Sequence, residues 1–148
     1  MESQVKIVYL TQREKPARLR EERCGCVVRE KKTGLYLTVQ EQSSGYIGFP
    51  KGHRERNRKT KQFCETRPKC AERELHQETG VRLKIGDATR TLKWKHSYFY
   101  VLEVDGFPVT TLKRPREIRE IKWRSLEELK ALKRDEISNL TRYMITKL

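Results

Sequence analysis

The sequence predicts an α/β domain in which helices cover two faces of a mixed β-sheet. Three observations carry that expectation. Runs with strand-like alternation and β-branched or aromatic content occupy residues 24–39, 81–104 and 117–123. A helical segment bounded by cap residues lies between the first two of these runs. Amphipathic segments follow the last strand, so the order reads β-β, helix, several β, helix. At 148 residues the chain has the length of one domain with a sizeable core, and 1–21 is read as an N-terminal extension to it.

Taken in order, Val5 to Leu10 is a short apolar run expected as an edge strand. Thr11 to Glu22 is charged, carries Pro16, and is either a connector or a short surface helix. Cys24–Val28 and Leu35–Val39 are strand-like, joined by a Lys32-Thr33-Gly34 turn that signals a hairpin. Gln40 to Gly45 is polar and leads into Gly48-Phe49-Pro50-Lys51-Gly52. Thr66 is a candidate helix N-cap, Pro68 is tolerated in the first turn, and Gly80 is a C-terminal stop. Cys70, Ala71 and Leu75 form the apolar side of this helix. Val81–Ile85 and Thr91–Val104 read as strands, the second placing Trp94, His96, Tyr98 and Tyr100 on one face. That stripe is expected to pack on neighbouring strands, with stacking of a purine base as the competing reading. His96 is read as a strand-surface or hydrogen-bonded residue. Asp105-Gly106 begins a turn, Glu117–Trp123 is an alternating strand, and Ser125 with Glu128 forms a capping box. Ile137, Leu140, Met144 and Ile145 mark the last amphipathic segment.

The chemistry concentrates between Gly45 and Val81. On a helix, residues three and four apart share a face, so Glu74, Gln77 and Glu78 project together just before the stop at Gly80. Two carboxylates and an amide oxygen side by side are costly unless a cation sits among them, and Mg2+ or Mn2+ takes oxygen ligands of this kind. The preceding glycines let backbone approach a ligand closely, and Lys51 is placed to meet phosphate.

At these residues the chain resembles the Nudix hydrolase box, G-x5-E-x7-R-E-U-x-E-E-x-G-U with U aliphatic. Glu65, then Arg73-Glu74-Leu75, then Glu78, Gly80 and Val81 fall in register. Two departures stand out: twelve residues separate Gly52 from Glu65 where the pattern has five, and Gln77 replaces the first of the paired glutamates. The resemblance covers roughly residues 22 to 135 and implies an α-β-α sandwich with a mixed sheet. It also implies hydrolysis of a pyrophosphate linkage with Mg2+ or Mn2+ as cofactor. By position, Glu74 and Glu78 would be metal ligands and catalytic, with Gly52 (or Lys51) supplying a carbonyl and Gln77 a neutral oxygen. Arg73 and Glu65 would form the ion pair holding helix to loop. A further carboxylate from another element often serves as base in the family. Glu117 is the candidate, and Glu120, facing the other way, the runner-up.

Composition narrows the partner. Charged residues make up 36% and the formal net charge is +14, which points to a polyanion. The inserted stretch Lys51–Lys61 holds six basic residues against Glu55 alone. It reads either as a disordered solubilising loop or as a phosphate-contacting arm, with Lys51, His53, Arg54 and Arg56 as substrate-binding candidates. Lys130, Lys133, Arg134 and Arg142 form a second basic cluster. Cys24, Cys26, Cys64 and Cys70 lack the usual zinc spacings and are read as small buried hydrophobes rather than a mixed metal site. No apolar run approaches transmembrane length and no secretory segment is visible, so a cytoplasmic protein without membrane association is expected.

Gly48–Gly52 followed by Glu117-Ile118-x-x-Ile121-x-Trp123 is similar to messenger-RNA decapping Nudix enzymes, above all the compact type of large DNA viruses. That likeness implies 5′-capped RNA as substrate and host cytoplasm as location. Pro50-Lys51-Gly52-His53 is also similar to diphosphoinositol polyphosphate and dinucleoside polyphosphate hydrolases, whose substrates are highly phosphorylated small molecules, as the alternative to decapping. The Gln77 departure adds a third class, a non-hydrolysing RNA-binding Nudix domain, or an enzyme slowed by its missing glutamate.

Overall fold

A computed structural model describes residues 21–148 apart from Ala88. The expected strand Val5–Leu10 and most of the connector after it lie outside the described residues. The elements run β1 (Arg23–Glu30), β2 (Tyr36–Glu41), β3 (Ile47–Gly48), β4 (Lys51–His53), α1 (Arg67–Thr79), β5 (Thr91–Trp94), β6 (Ser97–Val104), β7 (Ile118–Arg124), α2 (Leu126–Lys130) and α3 (Asn139–Thr146). One mixed seven-stranded sheet results, with β1 parallel to β6 and the remaining pairs antiparallel.

Alternation along β1 sorts the core into two layers. Cys24, Cys26 and Val28 face α1 and pack with Cys70, Ala71 and Leu75. Val27 faces the other side, with Phe49, Phe99, Leu129, Leu140 and Met144 beneath α2 and α3. The fold is therefore an α-β-α sandwich. No helix among the described residues is long and apolar enough to cross a membrane.

The β1 edge opposite β6 is shared. Near its end β1 pairs with β2, and near its start with β4, while β3 still pairs with β2. The chain thus crosses from β2 to β1 at Phe49-Pro50, and this crossing brings Lys51–His53 against α1. Gly25 is required there, because a Cβ would overlap the Pro50 carbonyl and press on the Phe99 ring at 2.6 Å.

Local signals predicted α1 closely. The Thr66 side chain accepts from the Lys69 N–H at 3.3 Å, and Gly80 closes the helix in the left-handed region at φ 79°. Ser125 and Glu128 form the expected capping box of α2, and Ser138 caps α3.

Three expectations fail. Val81–Ile85 forms no strand: Val81 and Ile85 are buried against α1, and the Ile85 N–H bonds the Glu72 carboxylate instead of a neighbouring strand. Its apolar spacing reflects packing beneath a helix. Thr91–Val104 is two strands, reversing at Lys95, which takes φ 54°. The reversal destroys the aromatic stripe. Trp94 lies on the α3 side and stacks on Tyr143 at 6.0 Å between centroids, whereas Tyr98 and Tyr100 belong to the α1 side. The third failure is Cys64, which is exposed, while Cys24, Cys26 and Cys70 are buried as expected.

One buried carboxylate had no sequence signature. Glu30, 1% exposed, accepts from the Lys32, Thr33 and Gly106 N–H groups and the Thr33 hydroxyl at 2.9–3.2 Å. It ties the β1–β2 turn to the turn after β6. These donors, the Thr33 N–H first, hold its carboxyl down at about 2. A depressed carboxylate contributes stability that is complete above the unfolded value, 4.5, and is lost as pH falls towards about 2. Glu30→Gln is therefore expected to lower the melting temperature by several degrees at pH 7 and much less near pH 2.5. Parallel melting curves for the two proteins at both pH values, offset equally, would remove Glu30 from this role.

Candidate active site

α1 carries the chemistry on two sides of one guanidinium. Arg73 donates to both Glu65 oxygens (3.0 and 2.7 Å), to Glu74 Oε1 (2.7 Å), to Gln77 Oε1 (3.0 Å) and to the His53 carbonyl (3.0 Å). The fork geometry of arginine allows one side chain to fasten the inserted loop, β4 and the helix together. Burial works against the Glu65 charge, but Arg73 holds its carboxyl below the usual range.

Glu74 and Glu78 are almost fully buried, at 7% and 8% exposure. Burial raises the Glu74 carboxyl despite Arg73. Glu78 receives one hydrogen bond, from the Lys51 N–H at 2.9 Å, and burial pushes its carboxyl up to about 8. Gly52 lies directly over Glu74, so that any Cβ at position 52 would overlap the carboxylate. The Gly52 carbonyl turns towards α1 and accepts weakly from the Cys70 thiol at 3.7 Å. Two buried carboxylates, of which Glu74 shares Arg73 and Glu78 has a backbone N–H as its donor, under a backbone with no side chain in the way, are chemically suited to a hard divalent cation. Among the described residues no three His, Cys, Asp or Glu side chains converge as a ready-made cation site. Backbone or substrate oxygens would have to complete the set.

A cleft of about 540 Å³ opens in front of Glu78. Lys51, Gly52 and His53 line it from β4, and Glu117 from the segment before β7. Glu117 is exposed and held by Arg114 at 3.3 Å, whereas Glu120 lies away from the cleft, paired with Arg124 at 3.3 Å. Glu74 and Gln77 are not among the lining residues.

Sequence reasoning missed Glu41. It lines the cleft from the end of β2 and binds the Lys51 ammonium at 2.8 Å. Although burial opposes its charge, Lys51 holds its carboxyl below the usual range. Arg23, Tyr46 and Trp94 also line this cleft and were not expected there together. A carboxylate closing β2 ahead of a Ser-Ser-Gly turn was the only available sign for Glu41. Lys51 meets it only because the chain crosses from β2 to β1.

The insertion is a folded hairpin. Arg56 bridges to Phe63, and the Asn57 N–H donates to the Gln62 carbonyl at 2.7 Å. The Arg54 and Arg56 guanidiniums lie 4.0 and 3.7 Å from the Phe63 ring centroid. Arg54 also pairs with Glu22 at 2.9 Å and donates to the Glu65 carbonyl. Both arginines thus build the hairpin, while Arg58, Lys59 and Lys61 stand exposed on it. His53 faces Glu21 at 3.4 Å.

Gln77 shares Arg73 with Glu74. Introducing a carboxylate by Gln77→Glu is expected to raise turnover at least about tenfold, roughly 1.4 kcal/mol of barrier. Equal rates at saturating metal would assign Gln77 to holding Arg73 and nothing more.

The NUDIX domain family model matches residues 19–146. No curated protein matches the chain. Among solved structures, the E. coli dihydroneopterin triphosphate pyrophosphohydrolase is similar at 18% identity and a TM-score of 0.64, covering 85% of this chain and 92% of that one. A NUDIX hydrolase from Nitrosomonas europaea gives 20% and 0.63, with 85% and 86% covered. A C. elegans Ap4A hydrolase binary complex gives 21% and 0.55, with 72% and 81% covered.

Proposed function

Since the chain belongs to the Nudix family of pyrophosphohydrolases, we propose that it hydrolyses the pyrophosphate linkage of 5′-capped RNA. The products would be 7-methyl-GDP and a 5′-monophosphate RNA. The observation that carries this reading is the ordered basic hairpin immediately after His53. It carries the exposed Arg58, Lys59 and Lys61 on the segment that continues from the cleft-lining β4 residues, a placement that suits the backbone of a long polyanion.

In the reaction, Lys51 would hold a phosphoryl oxygen at the cleft floor, its ammonium aimed by Glu41. Glu74, Glu78 and the Gly52 carbonyl would hold Mg2+ or Mn2+, with Gln77 as a neutral oxygen beside them. When bound, such a cation supplies charge neutralisation and Lewis acidity to the pyrophosphate. Glu117 would take the proton from water as its oxygen bonds to phosphorus and the bond to the leaving phosphate breaks. Arg73 and Glu65 keep α1 and β4 in register for this.

The test sets three substrates against the wild type and Gln77→Glu with Mg2+ or Mn2+. These are cap-labelled RNA, a diphosphoinositol phosphate and a dinucleoside tetraphosphate. Release of labelled 7-methyl-GDP well ahead of the other two reactions is expected. Preference for either small molecule would overturn the cap reading. Retention of capped RNA without cleavage, even by Gln77→Glu, would mark a non-hydrolysing RNA-binding domain.

The hairpin itself can be tested without disturbing its scaffold. Replacing Arg58, Lys59 and Lys61 with Gln should flatten the salt dependence of long-RNA binding by about 2 units of log–log slope, at about 0.7 per phosphate contact. Hydrolysis of the cap dinucleotide alone should not change. An equal loss on both substrates would place these residues in support of the cleft.

A further inference from the structure

α1 presents a second charged face, directed away from its carboxylates. At about 100° per residue, Lys69, Arg73 and His76 fall within an arc of roughly 60°, with Glu74 and Glu78 on the other side of the helix. A cavity of about 360 Å³ lies over this face, completed by Arg82 and Leu83 from the segment after α1. Lys113, from the loop between β6 and β7, reaches across and sets its Nζ 2.9 Å from His76 Nε2. α1, the segment that follows it and a remote loop therefore bring cationic groups to the hollow and its rim.

The charge there is not balanced from within. Glu72 is the one carboxylate lining the hollow. Its Oε1 accepts the Ile85 N–H at 2.9 Å and its Oε2 lies 3.6 Å from Lys69. Arg73 is committed to Glu65 and Glu74. Among the described residues neither Arg82 nor Lys113 has a carboxylate partner. Lys113 instead donates a hydrogen bond to His76 Nε2, which accepts as the unprotonated ring nitrogen. Arg82 and Lys113 are like charges gathered around His76 without a carboxylate of their own, which is unfavourable, and an oxyanion in the hollow would offset them.

We propose that this hollow is a second phosphate-binding site, distinct from the catalytic cleft and served by Arg82, Lys113, Lys69 and His76. The ligand class is a phosphoryl group of a polyanion, either a free polyphosphate or the backbone of an RNA whose end occupies the cleft. The site does not depend on the cap reading. Its link to the cleft is Arg73, which lines the hollow and donates to the carbonyl of the cleft-lining His53.

The three histidines provide local reporters: His53 at the cleft, His76 in the hollow and His96 at the β5–β6 turn. Their ring signals would be followed by NMR in the full chain at one fixed pH, in EDTA, during titration with inorganic tripolyphosphate. A second titration would use a 5′-monophosphate RNA dodecamer. Saturable movement of the His76 signal is expected with at least one probe. The Arg82→Gln/Lys113→Gln protein should need about tenfold more of that probe, with the His53 response unchanged. Both residues are exposed, so the folded state should persist; the wild-type titration stands regardless. Response to tripolyphosphate alone identifies a small polyphosphate, and response to RNA at lower concentration identifies a backbone. A His76 signal that ignores both probes, or moves identically in the variant, overturns the site.

Discussion

Glu78→Gln is expected to lower kcat by about 10²–10³-fold while making the metal-free protein more stable at alkaline pH. The first effect follows from its position. Glu78 is the α1 carboxylate that reaches the cleft, and an amide there offers a cation an oxygen without charge. The second follows from burial. With its carboxyl at about 8 in the fold and 4.5 unfolded, Glu78 favours the folded state only while protonated. A raised carboxyl contributes stability that is complete below 4.5 and lost as pH rises to about 8. By then the accumulated penalty is about 3–5 kcal/mol. Glutamine avoids the ionisation. Thermal unfolding in EDTA should therefore show the two proteins diverging between pH 5 and pH 9, the variant melting higher at pH 9. Saturating Mg2+ should restore the wild type and leave the variant unmoved. Wild-type turnover in Glu78→Gln, or a lower melting point at pH 9, would remove Glu78 from the cation site.

Glu117→Gln, in a Gln77→Glu background, is expected to reduce kcat by about 10²-fold with little change in substrate affinity, the size of one general base. Glu117 shares the cleft with Glu78 and Lys51, and it stays exposed enough to exchange a proton with solvent after each turnover. Glutamine keeps its shape and its contact with Arg114 but cannot take a proton. Glu120→Gln should cost far less, since Glu120 is spent on Arg124 outside the cleft. A severe Glu120→Gln with a mild Glu117→Gln would reverse the assignment. Two mild variants would send the base elsewhere, Glu41 being a further carboxylate that lines the cleft.

Both variants test residues that the sequence singled out, and the structure shows why that was possible. Caps, the Arg73–Glu74–Glu78 spacing and the alternation of β1 are local properties. A helix's face or a strand's side follows from a few neighbouring residues. The Glu65–Arg73 pair is implied by the resemblance to the Nudix box rather than by a local rule, since Glu65 lies outside α1 and Arg73 within it. Because capping is local, Thr66, Gly80, Ser125 and Glu128 took the places expected of them.

Where two remote segments had to meet, sequence reading stopped. Val81–Ile85 has the composition of a strand, but pairing needs a free neighbouring edge, and α1 covers this segment first. The aromatic run through Trp94, His96, Tyr98 and Tyr100 kept its period on paper. One left-handed residue, Lys95, sent its two halves to opposite faces of the sheet. Glu41 and Lys51 are ten residues apart, and their ion pair exists only because β3 and β4 follow different partners. The same holds for Lys113 against His76, joined across thirty-seven positions of chain. The sequence by itself determined the α/β layering, the caps of α1 and the carboxylates on its inner face, all of which follow from periodicity within one element. The tertiary structure alone decided which carboxylates share the cleft, which arginines are consumed in building the hairpin, and where unbalanced positive charge collects. These depend on distances between segments, and a chain acquires them only when it folds.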